Sequence, residues 1–159
     1  MITIQEAKSK KEITEFIKFP FSLYKDNKYW VPPLIADELE TFDKTKNPAF
    51  ENAEAYFFVA KRNEEIVGRI ATIINWDEVN NQQKKKVRFG WFDVIDDITV
   101  TQALLEKVYE LGRKNNLDYV EGPMGFSNLD KVGVLGAMVY QLKPYYFTMQ
   151  PTVPDCALG

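Results

Sequence analysis

Ala55-Tyr-Phe-Phe-Val-Ala-Lys61 opens the stretch that decides the fold; Ile66-Val-Gly-Arg-Ile-Ala-Thr-Ile-Ile74 and Val87-Arg-Phe-Gly-Trp-Phe-Asp-Val-Ile95 follow it. All three segments are rich in β-branched and aromatic residues, which suit a pleated, half-buried surface. The short polar link Arg62–Glu65 contains Asn63, a residue that tolerates a left-handed turn conformation. The first two segments are therefore predicted to form a hairpin, and the third a further strand of the same sheet.

Strand alternation divides the side chains of the second segment between two faces. One face is predicted to hold Ile66, Gly68, Ile70, Thr72 and Ile74, and the other Val67, Arg69, Ala71, Ile73 and Asn75. Because both sets are largely apolar, both faces should be covered. This pattern predicts a central sheet with helices packed on it.

Composition excludes several classes of function. A chain of 159 residues with 45% hydrophobic residues indicates one domain with its own core. It has no histidine and a single cysteine, Cys156, which rules out a histidine-based triad, a disulfide within the chain and a His- or Cys-cluster metal site. A net charge of −3 does not favour nucleic-acid binding. The absence of a signal peptide or a long apolar run predicts a cytoplasmic protein that does not enter the membrane.

The N-terminal region reads as a short strand, Ile2–Glu6, followed by helices. Ser9 and Glu12 match a capping box, and the apolar residues after them keep helical spacing. Pro20 predicts that this helix breaks or bends. A second short helix is expected over Ile35–Phe42, after an extended segment with two prolines.

An amphipathic helix follows the third strand. Its predicted buried stripe consists of Val100, Ala103, Leu104, Val108 and Leu111. Thr99 and Gln102 match a capping box, and Asp118–Glu121 reads as the next strand, parallel to the one before the helix. The basic segment Lys84–Arg88 is interpreted as a solvated turn end, with a phosphate or nucleic-acid contact as the alternative.

The order of elements predicts an α+β fold with a mixed, mostly antiparallel central sheet and flanking helices. After Leu135 the pattern decays, and residues 136–159 read as an irregular tail in which Met138–Leu142 could be a strand.

Seven phrases in this order resemble the Gcn5-related N-acetyltransferase (GNAT) superfamily, in particular a bacterial acetyltransferase-like group of poorly defined function. They are Phe19-Pro-Phe-Ser-Leu-Tyr-Lys-Asp26, Trp30-Val-Pro-Pro-Leu34, Asn47-Pro-Ala-Phe50, Val59-Ala-Lys-Arg62, Val67-Gly-Arg-Ile70, Phe89-Gly-Trp-Phe92 and Glu121-Gly-Pro123. The resemblance covers about residues 4–135, which sets a predicted GNAT-like domain at 1–135. Members of the group continue past Leu135, so this chain is interpreted as a truncated, naturally short or frame-altered version.

The resemblance implies acetyl-CoA as cofactor and direct attack of an amine on its thioester. It also implies that backbone amides of Gly90–Val94, with Phe92 and Val94, polarise the thioester. The diphosphate would lie on the loop that opens the helix, at Thr99, Thr101, Gln102 and Ala103, where free amides and the helix dipole favour anions.

The sequence departs from the family motif at this loop. The motif is Gln or Arg, two residues, Gly, one residue, then Gly or Ala, whereas this chain has Ile98-Thr-Val-Thr-Gln-Ala103. Thr101 stands at the glycine position, and Asp96 and Asp97 carry negative charge where a diphosphate would arrive. Binding of acetyl-CoA therefore stays open at this point.

Candidate catalytic groups are carboxylates and tyrosines, because histidine is absent. Asp93 is the first candidate for the base and Glu121 the second. Tyr119 or Tyr24 could act as the general acid for the departing thiolate. Arg69 is expected to form an ion pair with Asp93 or Glu54.

Two functions remain open from the sequence. The first is acetyl transfer from acetyl-CoA to an unidentified amine of a small molecule. The alternative is a non-catalytic acetyltransferase-like module for binding or assembly, which could be a fragment of a longer protein. Unpaired strand edges left by a shortened chain would favour a homodimer.

Overall fold

A six-stranded sheet forms the centre of the computed structural model, which describes residues 1–127 and, as backbone, residues 138–141. The strands lie side by side in chain order: β1 (Ile2–Glu6), β2 (Ala53–Arg62), β3 (Glu65–Asn75), β4 (Lys86–Val94), β5 (Tyr119–Gly122) and β6 (Met138–Gln141). Neighbouring strands are antiparallel, except that β4 and β5 are parallel. The predicted mixed, mostly antiparallel sheet of an α+β fold is confirmed.

Helices connect these strands. They are α1 (Lys10–Leu23), α2 (Ile35–Phe42), α3 (Trp76–Asn80) and α4 (Ile98–Lys114), with a 3-10 helix at Pro48–Glu51. The sequence analysis missed α3, a single short turn in a polar connection. Asn75 caps it, since its side-chain oxygen accepts from the amides of Asp77 and Glu78.

Helices cover both faces of the sheet, as predicted. On one face α4 packs its stripe Val100, Leu104 and Val108, all fully buried, against β3 and β4. On the other face α1 and α2 pack Phe16, Ile17 and Phe42 against the sheet. Each such side chain contributes about 1.5–3 kcal/mol when it leaves water, so these two layers hold the fold together.

The β2–β3 hairpin forms as predicted. Asn63 and Glu64 have φ of 50° and 65°, the left-handed values of a two-residue hairpin turn. A register shift between Ala60 and Lys61 then alters the predicted faces at the start of β3. Ile66 packs on the α1/α2 side and Val67 on the α4 side, the reverse of the prediction.

Pro20 does not break α1. The helix continues through it to Leu23, so the predicted break and restart are wrong, while the alternative of a bend stays a prediction. Proline has no N–H to donate to the carbonyl four residues earlier, which belongs to Phe16. Arg69 supplies the missing donor, because its Nη1 lies 2.9 Å from the Phe16 carbonyl oxygen.

The two helix caps differ in outcome. The capping box of α1 is confirmed, with Ser9 Oγ accepting from the Glu12 amide and Glu12 accepting from the Ser9 amide. The capping box predicted for α4 is wrong, because its N-cap is Asp97, whose side chain accepts from the Thr99 amide.

The basic segment before β4 is only partly solvated. Lys84 and Lys85 are exposed, but Lys86 and Arg88 are 6% and 2% exposed, so the predicted solvated end is wrong for these two. Lys86 pairs with Glu121, and Arg88 pairs with Glu78. A buried charge needs a partner of opposite charge. The local sequence around Lys86 and Arg88 did not indicate that Glu121 and Glu78 lie beside them.

Some expectations concern residues outside the described ones. The strand expected at Met138–Leu142 is confirmed for Met138–Gln141, whereas Leu142, Val132–Leu135 and Cys156 lie outside the described residues. The domain boundary at residue 135 stays a prediction. Among the helices of the described residues, none is both long and apolar enough to cross a bilayer.

Candidate functional site

The sheet opens along β4. Parallel pairing with β5 runs through three residue pairs and ends where Arg88 faces Glu121. One further hydrogen bond follows, from the Met124 amide to the Phe89 carbonyl, 2.8 Å long. Beyond that point, no strand among residues 1–127 and 138–141 pairs with the second half of β4, residues 90–94, on the β5 side. This is the half that the sequence analysis assigned to the thioester.

A β-bulge lies in the same half of β4. Ala71 pairs with Gly90 and Arg69 with Asp93, so two residues of β4, Trp91 and Phe92, stand opposite one residue of β3. Trp91 has φ of 45°, a left-handed value uncommon for a bulky side chain.

The bulge changes which side chains share a face. Trp91 lies in the α1/α2 core cluster, whereas Phe92 and Val94 pack against the α4 cluster. Asp93 therefore reaches the α1 side, where Arg69 and Tyr24 are its partners.

Glu38 of α2 holds Trp91. Its Oε2 accepts from the indole Nε1 at 2.8 Å, and the residue is 3% exposed. The sequence analysis missed Glu38. The available signal was its position, because Glu38 lies on the apolar stripe of α2 with Ile35, Leu39 and Phe42.

Asp93 is at the centre of a polar group on the α1 side. Its Oδ2 accepts from Arg69 Nε and its Oδ1 from the Tyr24 hydroxyl, both at 2.8 Å. The expected Arg69–Asp93 ion pair is thus confirmed. Arg69 also stacks over Phe16, with its guanidinium carbon 5.0 Å from the ring centroid.

The surroundings of Tyr24 keep its hydroxyl protonated. Burial, together with the hydrogen bond to Asp93, raises the pKa of Tyr24 to about 12. The phenol therefore carries its proton across the physiological range and beyond.

Glu121 and Tyr119 lie at a different place on the sheet. Glu121 pairs with Lys86, in a buried ion-pair group that also includes Glu78 and Arg88. Burial is the main cause that raises the pKa of Tyr119, with the Glu121 charge second. Glu121 faces Arg88 in the ladder, and Asp93 lies further along β4 by roughly 15 Å at the usual strand rise. The structure does not bring these two candidates to Asp93.

The N-terminus of α4 is occupied by the chain itself. Asp97 Oδ1 accepts from the Thr99 amide at 2.9 Å and from the Thr99 hydroxyl at 2.6 Å. Its Oδ2 accepts from Arg62 Nη2 at 2.6 Å. These donors, the Thr99 hydroxyl first, hold the pKa of Asp97 well below its usual range.

The implied cofactor fits this site only in part. The edge of β4 at residues 90–94, with Tyr24 beside Asp93, suits a thioester. The α4 end does not suit a diphosphate, because its amides already have acceptors within the chain. The Thr99 amide donates to the Asp97 carboxylate, and the Val100 and Thr101 amides donate to the Asp97 carbonyl oxygen at 3.2 and 3.3 Å. Thr101 is half-buried and Ile98 projects into solvent. Gln102 is exposed and Ala103 half-buried on the first turns of α4.

A separate cleft of about 870 Å³ lies between the start of α1, the end of α2 and β2. Its floor includes Phe57 and its rim includes Lys10 and Lys44. No residue that the sequence analysis assigned to catalysis or cofactor binding lines it. No group of three or more potential ligands to a metal ion occurs in residues 1–127 or 138–141.

Comparison with known proteins gives one curated relative and several solved structures. Protein YghO of Escherichia coli strain K12 is 31% identical over 146 residues, which are 87% of this chain and 37% of YghO. The chain thus spans little more than a third of that relative. No family model matches the chain.

Two solved structures illustrate the fold. A tandem GNAT protein of the clavulanic acid biosynthesis pathway superposes with a TM-score of 0.57 and 15% identity, over 76% of this chain and 36% of that one. Salmonella typhimurium yncA, assigned as an acetyltransferase and solved with its cofactor acetyl-CoA, has a TM-score of 0.56 and 10% identity, over 96% of this chain and 98% of that one. The chain has the GNAT fold, which confirms the fold expected from the resemblance.

Proposed function

We propose that this domain transfers an acyl group from a thioester to an amine, with acetyl-CoA as the donor that the fold implies. The supporting observation is the hydrogen-bonded group of Tyr24, Asp93 and Arg69 beside the open half of β4. It brings a proton donor at the end of α1 to a proton acceptor on β4, the strand to which the family resemblance assigns the thioester.

Each side chain has a stated task in this proposal. Asp93, whose side chain is 18% exposed, accepts the proton of the attacking amine. Tyr24, whose pKa is raised to about 12, donates its Oη proton to the departing thiolate as the carbon–sulfur bond breaks. The proton that Asp93 took from the amine then returns to Tyr24 Oη along their hydrogen bond. Arg69 orients Asp93 through the ion pair between Arg69 Nε and Asp93 Oδ2. The donor itself supplies only the activated carbonyl, which the amides near Phe92 and Val94 face in this proposal.

The remaining assignments are proposals as well. Glu121 with Tyr119 is the second acid–base pair, and Thr99, Thr101, Gln102 and Ala103 are the proposed diphosphate contacts if Asp97 moves aside. We propose a small-molecule amine as acceptor, the cytoplasm as the location and self-association as a homodimer.

The test is an acetylation assay with acetyl-CoA and a panel of amines. Tyr24→Phe and Asp93→Asn should each lower the rate about 10²-fold or more, the usual worth of general acid–base catalysis. Tyr56→Phe is the matched control, because Tyr56 on β2 also donates its hydroxyl to a carboxylate, that of Glu54, and has no assigned part in the reaction. It should leave the rate within about twofold. Equal loss in Tyr24→Phe and Tyr56→Phe, or none in either, would remove Tyr24 from the mechanism. Circular dichroism of each variant confirms that it is folded.

A second candidate function is a non-catalytic module for binding or assembly. The misfit at the α4 end favours it, since the amides that would hold a diphosphate already have partners within the chain. A folded wild-type protein that forms no product with any amine, at millimolar acetyl-CoA, would select this second function over the first.

A further inference from the structure

We infer that Asp97 is a specificity-determining residue: clamped by Arg62, it occupies the anion position at the N-terminus of α4 and excludes a diphosphate from it. The inference concerns the donor end of the proposed site, and it rests on the proposed function only for the identity of that donor. It goes beyond the loss of the family glycine, because a single side chain accounts for the exclusion.

The Asp97 carboxylate occupies the place that an anion would take at the start of α4. An anion at a helix N-terminus is held by free amides and nearby hydroxyls. Here the Thr99 amide and the Thr99 hydroxyl both donate to the same oxygen, Asp97 Oδ1. The carboxylate thus takes the donors that an incoming phosphate would need, and it does so at distances of 2.9 and 2.6 Å.

Arg62 ends β2 and its guanidinium donates to Asp97 Oδ2 at 2.6 Å. Arg62 is a cation placed beside α4, and a diphosphate would otherwise gain from it. The ion pair neutralises this charge and keeps the Asp97 carboxylate in place. The Arg62 charge and the donors at the start of α4 are therefore already satisfied by Asp97.

Asp97 differs from its neighbour Asp96 in its contacts. Asp96 carries the same charge one residue earlier, but it is exposed and, within the described residues, has no hydrogen bond to α4 or to Arg62. If repulsion alone excluded a diphosphate, both carboxylates would contribute alike. If occupancy excludes it, only Asp97 matters.

The experiment is a calorimetric titration with inorganic pyrophosphate and, separately, with free CoA. The proteins are the wild type, Asp97→Gly and the matched control Asp96→Gly. Glycine is accepted at an N-cap at a small cost in helix stability. We expect Asp97→Gly to bind pyrophosphate at least tenfold more tightly than Asp96→Gly, because it frees the Thr99 donors and Arg62 together. Adding Arg62→Gln to Asp97→Gly should remove most of that gain.

A second pair of variants covers the case in which the glycine variant fails to fold. Asp97→Asn keeps an oxygen that can cap Thr99 but lacks the charge that holds Arg62, so it should bind pyrophosphate more tightly than Asp96→Asn. Equal affinities within both matched pairs would overturn the inference.

Pyrophosphate binding requires no acyl transfer, so the two proposals fail separately. Tighter pyrophosphate binding by Asp97→Gly, together with no acetylation by any variant, would contradict the proposed function and support this inference. Acetylation by the wild type with no gain in either Asp97 variant would do the reverse.

Discussion

At the scale of single residues, the left-handed turn of β4 falls on Trp91 rather than on its neighbour Gly90. A Cβ on Gly90 would stand 2.1 Å from the Met124 carbonyl oxygen, so the glycine is required by close packing. The residue with the positive φ is Trp91 instead. Its side chain is held by the hydrogen bond to Glu38 and by contact with the ring of Phe42. Sequence alternation could not predict this, since the pattern would assign the unusual φ to glycine and leave Asp93 on another face.

Glu12 offers a residue-scale test of helix capping. Amides of Ser9 and Lys8 lower its pKa from 4.5 to about 2 in the folded protein. A carboxylate with a depressed folded pKa stabilises the native state above its ordinary pKa, and this contribution is lost as pH falls from about 4.5 towards 2.

Glu12→Gln is the matched variant, because glutamine also serves in a capping box but does not titrate. We expect the wild type to melt at a higher temperature than Glu12→Gln at pH 6, with the difference shrinking to nothing near pH 2. Thermal melts across this range check it, and all other acids cancel between the two proteins. A difference that stays constant with pH would contradict the assignment.

At the scale of elements, Arg69 fastens α1 to β3 and β4. It donates to the Phe16 carbonyl that Pro20 leaves without a helical donor, and it pairs with Asp93. Removing one partner of a buried ion pair leaves an uncompensated charge. Helix α1 thus tolerates its internal proline because a side chain from another element replaces the missing hydrogen bond.

We predict that Arg69→Met lowers the free energy of unfolding by about 3 kcal/mol, since Asp93 loses its charged partner and the Phe16 carbonyl loses its donor. In a Pro20→Ala background the loss should be about 1 kcal/mol smaller, because alanine restores an N–H to that carbonyl. Urea denaturation measures both values. Arg62→Met, which breaks a more exposed ion pair, is the control and should cost less than about 1 kcal/mol. An equal cost in the two backgrounds would show that the carbonyl does not depend on Arg69.

Elements whose signals are local could be predicted from the sequence. The β2–β3 hairpin follows from Asn63, and α4 follows from its buried stripe. Features that depend on a distant partner could not be predicted. The helix continues through Pro20 with a donor from Arg69, and the burial of Lys86 and Arg88 depends on Glu121 and Glu78. For the same reason Asp93 could be named as a candidate from its strand, while the contact with Tyr24, 69 positions away in sequence, could not be derived.

At the scale of the whole molecule, a close backbone contact lies where the pairing between β4 and β5 ends. Gly90 approaches the Met124 carbonyl too closely for any side chain, just past the last ladder pair. The segment after β5 therefore closes over the bulge, and Phe126 packs on Trp91 with ring centroids 5.9 Å apart.

Gly90→Ala should destabilise the fold by about 2–3 kcal/mol, because the backbone at Met124 must move to make room. For a chain of this size that corresponds to a fall in melting temperature of roughly 5–10 °C. Gly68→Ala is the control and should cost less, since its nearest neighbours are side-chain atoms of Leu104 and Val100 at 2.9 Å rather than a backbone oxygen at 2.1 Å. Calorimetric melting compares the two. A smaller fall in Gly90→Ala than in Gly68→Ala would contradict this contact.

The strand order has a kinetic consequence. The β2–β3 hairpin closes on a two-residue turn, a step of about 1–10 μs. By contrast, β1 pairs Ile2 with Arg62, so it can dock only when the chain between them, which includes α1 and α2, has closed into a long loop. Until β1 docks, the outer edge of β2 is an unpaired template for another molecule. Refolding from denaturant thus becomes a competition between intramolecular closure and intermolecular capture, and the yield of native protein falls as the protein concentration rises.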